Sequence, residues 1–474
     1  MAAVLDAVVV GAGPNGLAAA ITLARAGRSV VVVEAAPTPG GGARTAELTR
    51  PGFRHDVCSA VHPLAAASPF FASLPLERHG LSLAPFEVAL AHPLDGGGAG
   101  LLLPSLEATA AGLGADGPAW RAGVGWVAER WEAVAAAVLG PLVRVPRHPA
   151  VLAGFGRRAV APATWSARSF ATEEARALFG GCAAHSFLPL DRPLTSSFGL
   201  LLAACAHRAG WPVARGGSGA LVAALTGLLA ELDGEIRTSW PVASLADVPP
   251  ARAVLLDLTP RQVLAVAGPA LSPRERRALG RYRYGPGVFK LDYALAEPVP
   301  WTNAGCRRAG TVHVVGSTAE LLAAGRDVAG GRHPERPFVL VAQPTLADPS
   351  RAPAGRHTLW AYCHVPHGSG RDMTAAVEAQ IERFAPGFRD VVLARHAAGP
   401  AWLEAYNANN VDGDVNGGSF AGRQLLCRPT VGLHPYRTSH PRLFVCSAST
   451  PPGGGVHGMC GFHAASDVLA TALR

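Results

Sequence analysis

Lysine is all but missing from this chain of 474 residues: Lys290 is the only one, and the excess behind its net charge of +8 is arginine. The arginines are scattered or, as in Arg274-Glu275-Arg276-Arg277, interrupted by acid and without interleaved aromatics. That excludes the basic face of a nucleic-acid binder and leaves only a weak attraction to anionic membrane surfaces. Charge of both signs is scarce, 16% of residues against a usual figure of about 25%. No apolar run approaches the roughly 20 residues of a membrane-spanning helix. No basic segment precedes the apolar run Ala7–Val10, so no secretory leader is expected and the expected location is the cytoplasm, with peripheral membrane contact left open. The eight cysteines (Cys58, Cys182, Cys205, Cys306, Cys363, Cys427, Cys446 and Cys460) contain no CxxC pair. With no HExxH and no Gly-x-Ser-x-Gly either, zinc chemistry, a disulfide framework and a serine-hydrolase elbow all lack their signature.

What remains is a strongly hydrophobic chain, 49% apolar, long enough for roughly two to four domains. Its most informative segment opens it. The run Ala7–Val10 is apolar and β-branched, as in a buried parallel strand. It leads into Gly11-Ala12-Gly13-Pro14-Asn15-Gly16, then an Ala/Leu-rich helix closed by Gly27, then a second strand ending in Glu34-Ala35. Gly11 suits the tight turn, Gly13 lets backbone approach a pyrophosphate, and Gly16 lets helix and strand pack closely. The helix N-terminus offers free N–H groups to phosphate, and Glu34 stands where an acid binds ribose hydroxyls and disfavours a 2′-phosphate. A dinucleotide site is therefore expected; the motif by itself does not separate NAD from FAD.

A second glycine cluster, Gly40-Gly41-Gly42-Ala43-Arg44, follows the acid. It resembles the GG-R motif of FAD enzymes of the glutathione-reductase structural class, with Ala43 where Arg is common and Arg44 one place later. Further on, Gly216–Gly219 opens a helix and Gly234 ends it; Glu235–Arg237 and Ala251–Pro260 read as strands returning to the first sheet. Val242 lies where proteins of this class touch adenine through backbone groups. Pro118–Leu139, Thr172–Leu188 and Ser197–His207 read as helices, with Trp120 and Trp131 on one face and Trp126 off it. Tyr284–Trp301, Phe338–Gln343 and Thr358–His364 read as strands of a second, mixed sheet. The expected fold is α/β with an α+β second domain: a discontinuous Rossmann-like FAD domain (1–85, 210–270 and 425–474) and a substrate or cap domain (86–209 and 271–424).

Near the end, Leu443–Cys446 reads as a strand and Ala464–Leu469 as a helix, joined by the glycine-rich Gly453–Gly458. Together with VVVGAGPNGLAAA, GFRHDVCSAVHPL, GPGVFKLDYAL and GDVNGGSFAGRQLLCRP, this C-terminal stretch resembles the phytoene-desaturase-like branch of the flavin amine-oxidase superfamily. Within that branch it is most similar to the group typified by pyridine nucleotide-disulfide oxidoreductase domain-containing protein 2. The resemblance implies bound FAD, with Ser447, Gly455, Val456 and Gly458 in the part of the chain that closes over the isoalloxazine. It also implies a strand lysine that holds water against the flavin, for which Phe289-Lys290-Leu291 is the match and Asp292 the same-face partner. His457 is a candidate proton carrier, and Cys460 reads as a buried thiol rather than a covalent anchor.

Three functions follow from that reading. The first is an FAD-dependent desaturase or dehydrogenase taking a hydride from a hydrophobic small molecule, with oxygen or a quinone as acceptor because no second nucleotide motif exists. The second is an amine or amino-acid oxidase, favoured by Lys290 and disfavoured by only six tyrosines and by Phe462-His463 in place of a tyrosine pair. The third is a flavoprotein without net redox chemistry, an isomerase or a partner-binding module. Oligomeric state has no signature in the sequence.

Overall fold

The computed structural model describes residues 4–143 and 145–474. Its first sheet is all-parallel, in the spatial order Leu443–Val445, Ala251–Leu256, Leu5–Val10, Val30–Val33, Glu235–Arg237. Three well-separated stretches of chain thus meet in one sheet. The runs Val8-Val9-Val10 and Val30–Val33 suit it because both faces are covered. Ala7, Val9, Val30, Val32 and Phe444 point into the larger core, under the helices Pro14–Arg25, Ser218–Glu231 and Met459–Ala470. Their neighbours Val8, Val10, Val31, Val33 and Val445 point into a smaller core with Val263 and Ala267 of the helix Pro260–Ala267.

The second sheet is mixed, in the order Val392–Ala398, Gly287–Leu295, His357–Val365, Val339–Ala342, Ala309–Val314, Val88–Pro93, Ala99–Leu102. Only the pairing of Val88–Pro93 with Ala309–Val314 is parallel. The strand Gly287–Leu295 is flanked on both sides and buried along its whole length, so Lys290 does not sit on an edge.

The helical block between residues 106 and 209 differs from expectation in one place. Instead of one helix over Pro118–Leu139, the chain runs through Gly117–Trp120, a wide turn at Arg121–Gly125, Trp126–Glu129 and Trp131–Val138. The backbone keeps helical angles through this wide turn, and the break comes at Arg130, with φ −111° and ψ 23°. Trp120 and Trp131 are buried; Trp126 lies at the surface side with Arg130 and Arg158 over its ring at 4.8 and 4.3 Å. Among the described residues, no helix is long and apolar enough to cross a membrane.

Candidate functional site

A cavity of about 1520 Å³ lies at the carboxyl ends of the parallel strands and continues to the second sheet. Residues just past four parallel strands line it: Gly11, Glu34, Asp257 and Ser447. This is where open α/β sheets bind ligands, since loops diverge there and helix N-termini converge.

At one end sits the glycine turn. Gly11, Gly13, Pro14 and Asn15 face the cavity. Gly13, at the start of the helix Pro14–Arg25, has no capping side chain; Pro14 carries no N–H and Gly16 N–H is taken by Asp257 Oδ2 at 3.0 Å, which leaves Asn15 N–H for a ligand. Gly16 lies behind the lining; a Cβ there would meet the Gly11 carbonyl at 2.0 Å, so its part is helix-to-strand packing. Ala12 is buried, and its N–H donates to Glu34 Oε2 at 2.8 Å, while Ala36 N–H donates to Oε1 at 2.9 Å. Backbone donors thus hold the Glu34 carboxylate at the cavity wall, beside Ala35 and Val242. Gly41, Gly42 and Arg44 also face the cavity, whereas Ala43 is fully buried behind them. The Arg44 guanidinium lies 3.5 Å from Glu34, donates to the Thr38 carbonyl at 2.7 Å and lies over the Tyr406 ring at 5.3 Å.

At the other end, Ser447, Gly455 and Val456 line the cavity. Gly455 has φ +125°, a conformation closed to side-chain-bearing residues, and this turns the chain edge toward the space. Gly458 caps the helix Met459–Ala470 among Phe70, Phe71 and Ala18, away from the lining. His457 is buried outside the lining as well. Its Nδ1 accepts from Met459 N–H at 3.0 Å and its carbonyl accepts from Ser68 Oγ at 2.7 Å. Burial pushes its imidazole down to about 4, so it is neutral and occupied in closing the helix end. The Cys460 thiol points to the Thr450 and Gly453 carbonyls and burial raises it to about 11, which suits an inert group.

Lys290 faces the cavity from the second sheet, 2% exposed, with its ammonium paired to Asp292. Burial works against a charged Asp292, but Lys290, together with His396 and His55, holds its carboxyl below the usual range. His55 itself is pushed down to about 4 by burial and receives or donates a hydrogen bond at Thr49 Oγ1.

Several cavity residues carry no local motif. Trp360 and Tyr362 face the space beside Lys290, their rings edge-to-face at 5.1 Å, and Phe187 stacks on Tyr362. His185 lies nearby, hydrogen-bonded to buried His313 at 3.1 Å. The alternation Trp360-x-Tyr362 puts both rings on one strand face, a signal present in the sequence; which face meets the cavity depends on register with Lys290 and Leu340. Phe462 and His463 are half-buried on the flank of their helix, beside Phe70 and the Leu139 carbonyl, and do not line the cavity. Asp257 also lines the cavity and had no signature of its own.

The residues fit the dinucleotide expected from the motifs: a glycine turn and helix N-terminus facing the cavity, an oriented acid for ribose, and glycine backbone at the far end. The cavity exceeds the roughly 300–1,000 Å³ of an ordinary small-ligand site, leaving room for cofactor and substrate together.

Residues 9–73 match the NAD(P)-binding Rossmann-like domain family. A stretch of 155 residues is 30% identical to mouse pyridine nucleotide-disulfide oxidoreductase domain-containing protein 2, covering 30% of this chain and 26% of that protein. The match therefore spans about a quarter of the curated relative's length. Over 98% of this chain and all of the other, the fold superposes on an oxidoreductase from Methanosarcina mazei, with TM-score 0.64 and 18% identity. Cyclohexylamine oxidase from Brevibacterium oxydans matches over the full length of both chains, with TM-score 0.56 and 16% identity. The resemblance to pyridine nucleotide-disulfide oxidoreductase domain-containing protein 2 stands over the stretch matched, and the α/β fold stands over the whole chain.

Proposed function

We propose that this chain, related to pyridine nucleotide-disulfide oxidoreductase domain-containing protein 2 and sharing its fold with cyclohexylamine oxidase, is an FAD-dependent oxidoreductase acting on a hydrophobic small molecule. One observation carries the reading: a single cavity runs from the glycine turn and Glu34 to Gly455 and Lys290. When bound, FAD supplies a hydride acceptor; oxygen or a quinone would restore it.

The protein's own part is placement and electrostatics. Gly11, Gly13, Pro14 and Asn15, with Gly41, Gly42 and Arg44, would hold the pyrophosphate region, Glu34 the ribose, and Val242 and Ala35 the adenine side. Ser447, Gly455 and Val456 would flank the ring. Asp292 fixes the Lys290 ammonium, whose other N–H bonds can hold a water or a polar substrate atom. Trp360, Tyr362 and Phe187 offer apolar, polarizable walls that exclude water. The acids of the lining, Glu34 and Asp257, stand at the glycine turn; at the other end the Lys290–Asp292 pair is neutral overall, and the walls are the rings of Trp360, Tyr362 and Phe187. A neutral substrate fits that end better than a cationic amine, which favours desaturation or dehydrogenation over amine oxidation.

Purified protein should be yellow, with flavin absorbance released by heat; colourless protein that cannot be reconstituted with FAD would remove the reading. Anaerobic mixing with lipid, polyene and amine pools should bleach the flavin with the neutral pools. Polyene isomerisation by the dithionite-reduced protein alone would instead make it an isomerase. Lys290→Met should keep its FAD yet slow flavin reduction or reoxidation about 10²-fold, the lower end of what positioned proton-handling groups contribute. The double variant Lys290→Met/Asp292→Asn removes the stranded carboxylate; normal half-reactions in it would exclude Lys290 from the chemistry.

A further inference from the structure

The glycine turn holds something besides room for phosphate. Asp257 follows the strand Ala251–Leu256, and its main chain is locked: its N–H donates to the Val10 carbonyl at 2.8 Å and its carbonyl accepts from Asn409 Nδ2 at 2.8 Å. The side chain consequently projects into the turn. Its Oδ2 accepts from Gly16 N–H at 3.0 Å, one of the helix N-terminal donors. A Cβ on Gly13 would come within 2.8 Å of Oδ2, and one on Gly11 within 3.1 Å of the Asp257 Cβ. The glycines at 11 and 13 thus make way for this carboxyl as well as for a ligand.

Glu34 is the second acid facing this space, across the central strand. Arg44 pairs with Glu34, and among the described residues no cation is within ion-pair distance of Asp257. From the strand Leu443–Val445 and the helix Met459–Ala470, the groups facing it are the Cys446 and Cys460 thiols, both held protonated chiefly by burial. A pyrophosphate adds two negative charges to a place already holding two carboxyls. In a poorly solvated cleft such charges repel strongly, and protonation of one relieves them.

We infer that Asp257 makes cofactor binding proton-linked: the pyrophosphate enters with Asp257 protonated, and affinity falls as the solution becomes alkaline. The inference rests on the FAD reading above. In the free protein, burial, opposed by the Gly16 N–H and aided by Glu34, raises this carboxyl to about 7. A bound pyrophosphate raises it further, so binding takes up a proton above that pH. The apparent Kd then increases by up to about tenfold per pH unit until the bound form also ionises.

The test is equilibrium titration of apoprotein with FAD, followed by flavin fluorescence, from about pH 6 to pH 9. Wild type should bind at least tenfold more weakly at the alkaline end. Asp257→Asn, which keeps an acceptor for Gly16 N–H without the charge, should bind with a flat profile. Independently of any variant, calorimetry of wild type at about pH 8 in two buffers of different ionisation enthalpy should register uptake of close to one proton. A flat wild-type profile, an equal slope in Asp257→Asn, or no proton uptake overturns the inference while leaving the cofactor in place. Absence of FAD binding at every pH fails the cofactor reading and this inference with it.

Discussion

Arg351→Leu should lower the unfolding free energy by about 3–5 kcal/mol, the usual cost of stranding a buried charge. Arg351 has no exposed surface. Its Nη2 donates to Asp56 Oδ2 at 2.6 Å, its Nε to Asp348 Oδ2 at 3.1 Å and its Nη1 to the Arg54 carbonyl at 3.3 Å. Asp56 also receives Thr45 Oγ1 and the N–H of Ser218, the first residue of a helix, and Asp348 receives Gly216 N–H. One guanidinium thereby ties the segment carrying Arg44, Thr45 and Cys58, which lines the cavity, to the second sheet's loops. Its loss should lower the urea midpoint and the fraction of protein that keeps flavin. Acidification should recover part of the stability, because a stranded carboxylate is harmless once protonated. Arg351→Lys should fall between, since an ammonium cannot span two carboxylates as the planar fork does. A midpoint unchanged in Arg351→Leu would show that the network carries no net stability.

The second large effect is expected at Gly461. The helices Pro14–Arg25 and Met459–Ala470 cross there with their backbones in contact: an added Cβ would stand 1.8 Å from the Asn15 carbonyl oxygen and 2.8 Å from Ala19 N. Neither obstacle is a side chain able to turn away. Gly461→Ala must therefore push the helices apart, at or above the upper end of the about 1–3 kcal/mol common for overpacking. The helix displaced begins at the phosphate turn, so FAD affinity should drop at least about tenfold along with the melting temperature. Gly280→Ala, at a helix end with nothing within 4 Å, should change neither. Equal behaviour of the two variants would mean that the crossing is looser than its geometry.

The parts of this molecule that could be read from sequence are those whose physics is local. The turn from Gly11 to Gly16, the acid at Glu34 and the strand–glycine–helix around Gly455 each satisfy short-range demands of backbone and phosphate. Lys290 with Asp292 was legible because two residues apart on a strand means one face. Asp257 was not, although it lies in a recognisable strand end, because its meaning depends on Gly16, far away in the chain. Trp360 and Tyr362 needed the register against Lys290. Arg351 looked like any loop arginine until Asp56 and Asp348 came to it. His457 shows the reverse: a histidine beside flavin-type glycines suggested proton transfer, yet the Met459 N–H takes up its ring nitrogen. The break in the Trp120–Trp131 helix escaped a periodicity argument because both tryptophans are buried with or without it.

The order of the parallel sheet also has a consequence for synthesis. Leu5–Val10 is the central strand, and Val30–Val33 can pair with it almost as soon as both are made. Its other edge waits for Ala251–Leu256, and the sheet closes only with Leu443–Val445. At roughly 5–20 residues per second, an apolar strand edge stays open for tens of seconds during translation. Such an edge is a template for wrong pairing with another nascent chain. The architecture that brings three distant stretches around one cleft therefore leaves the growing chain open to mispairing, and overexpression should cost soluble yield before it costs stability of the finished protein, as the soluble fraction and the melting temperature of that fraction would show.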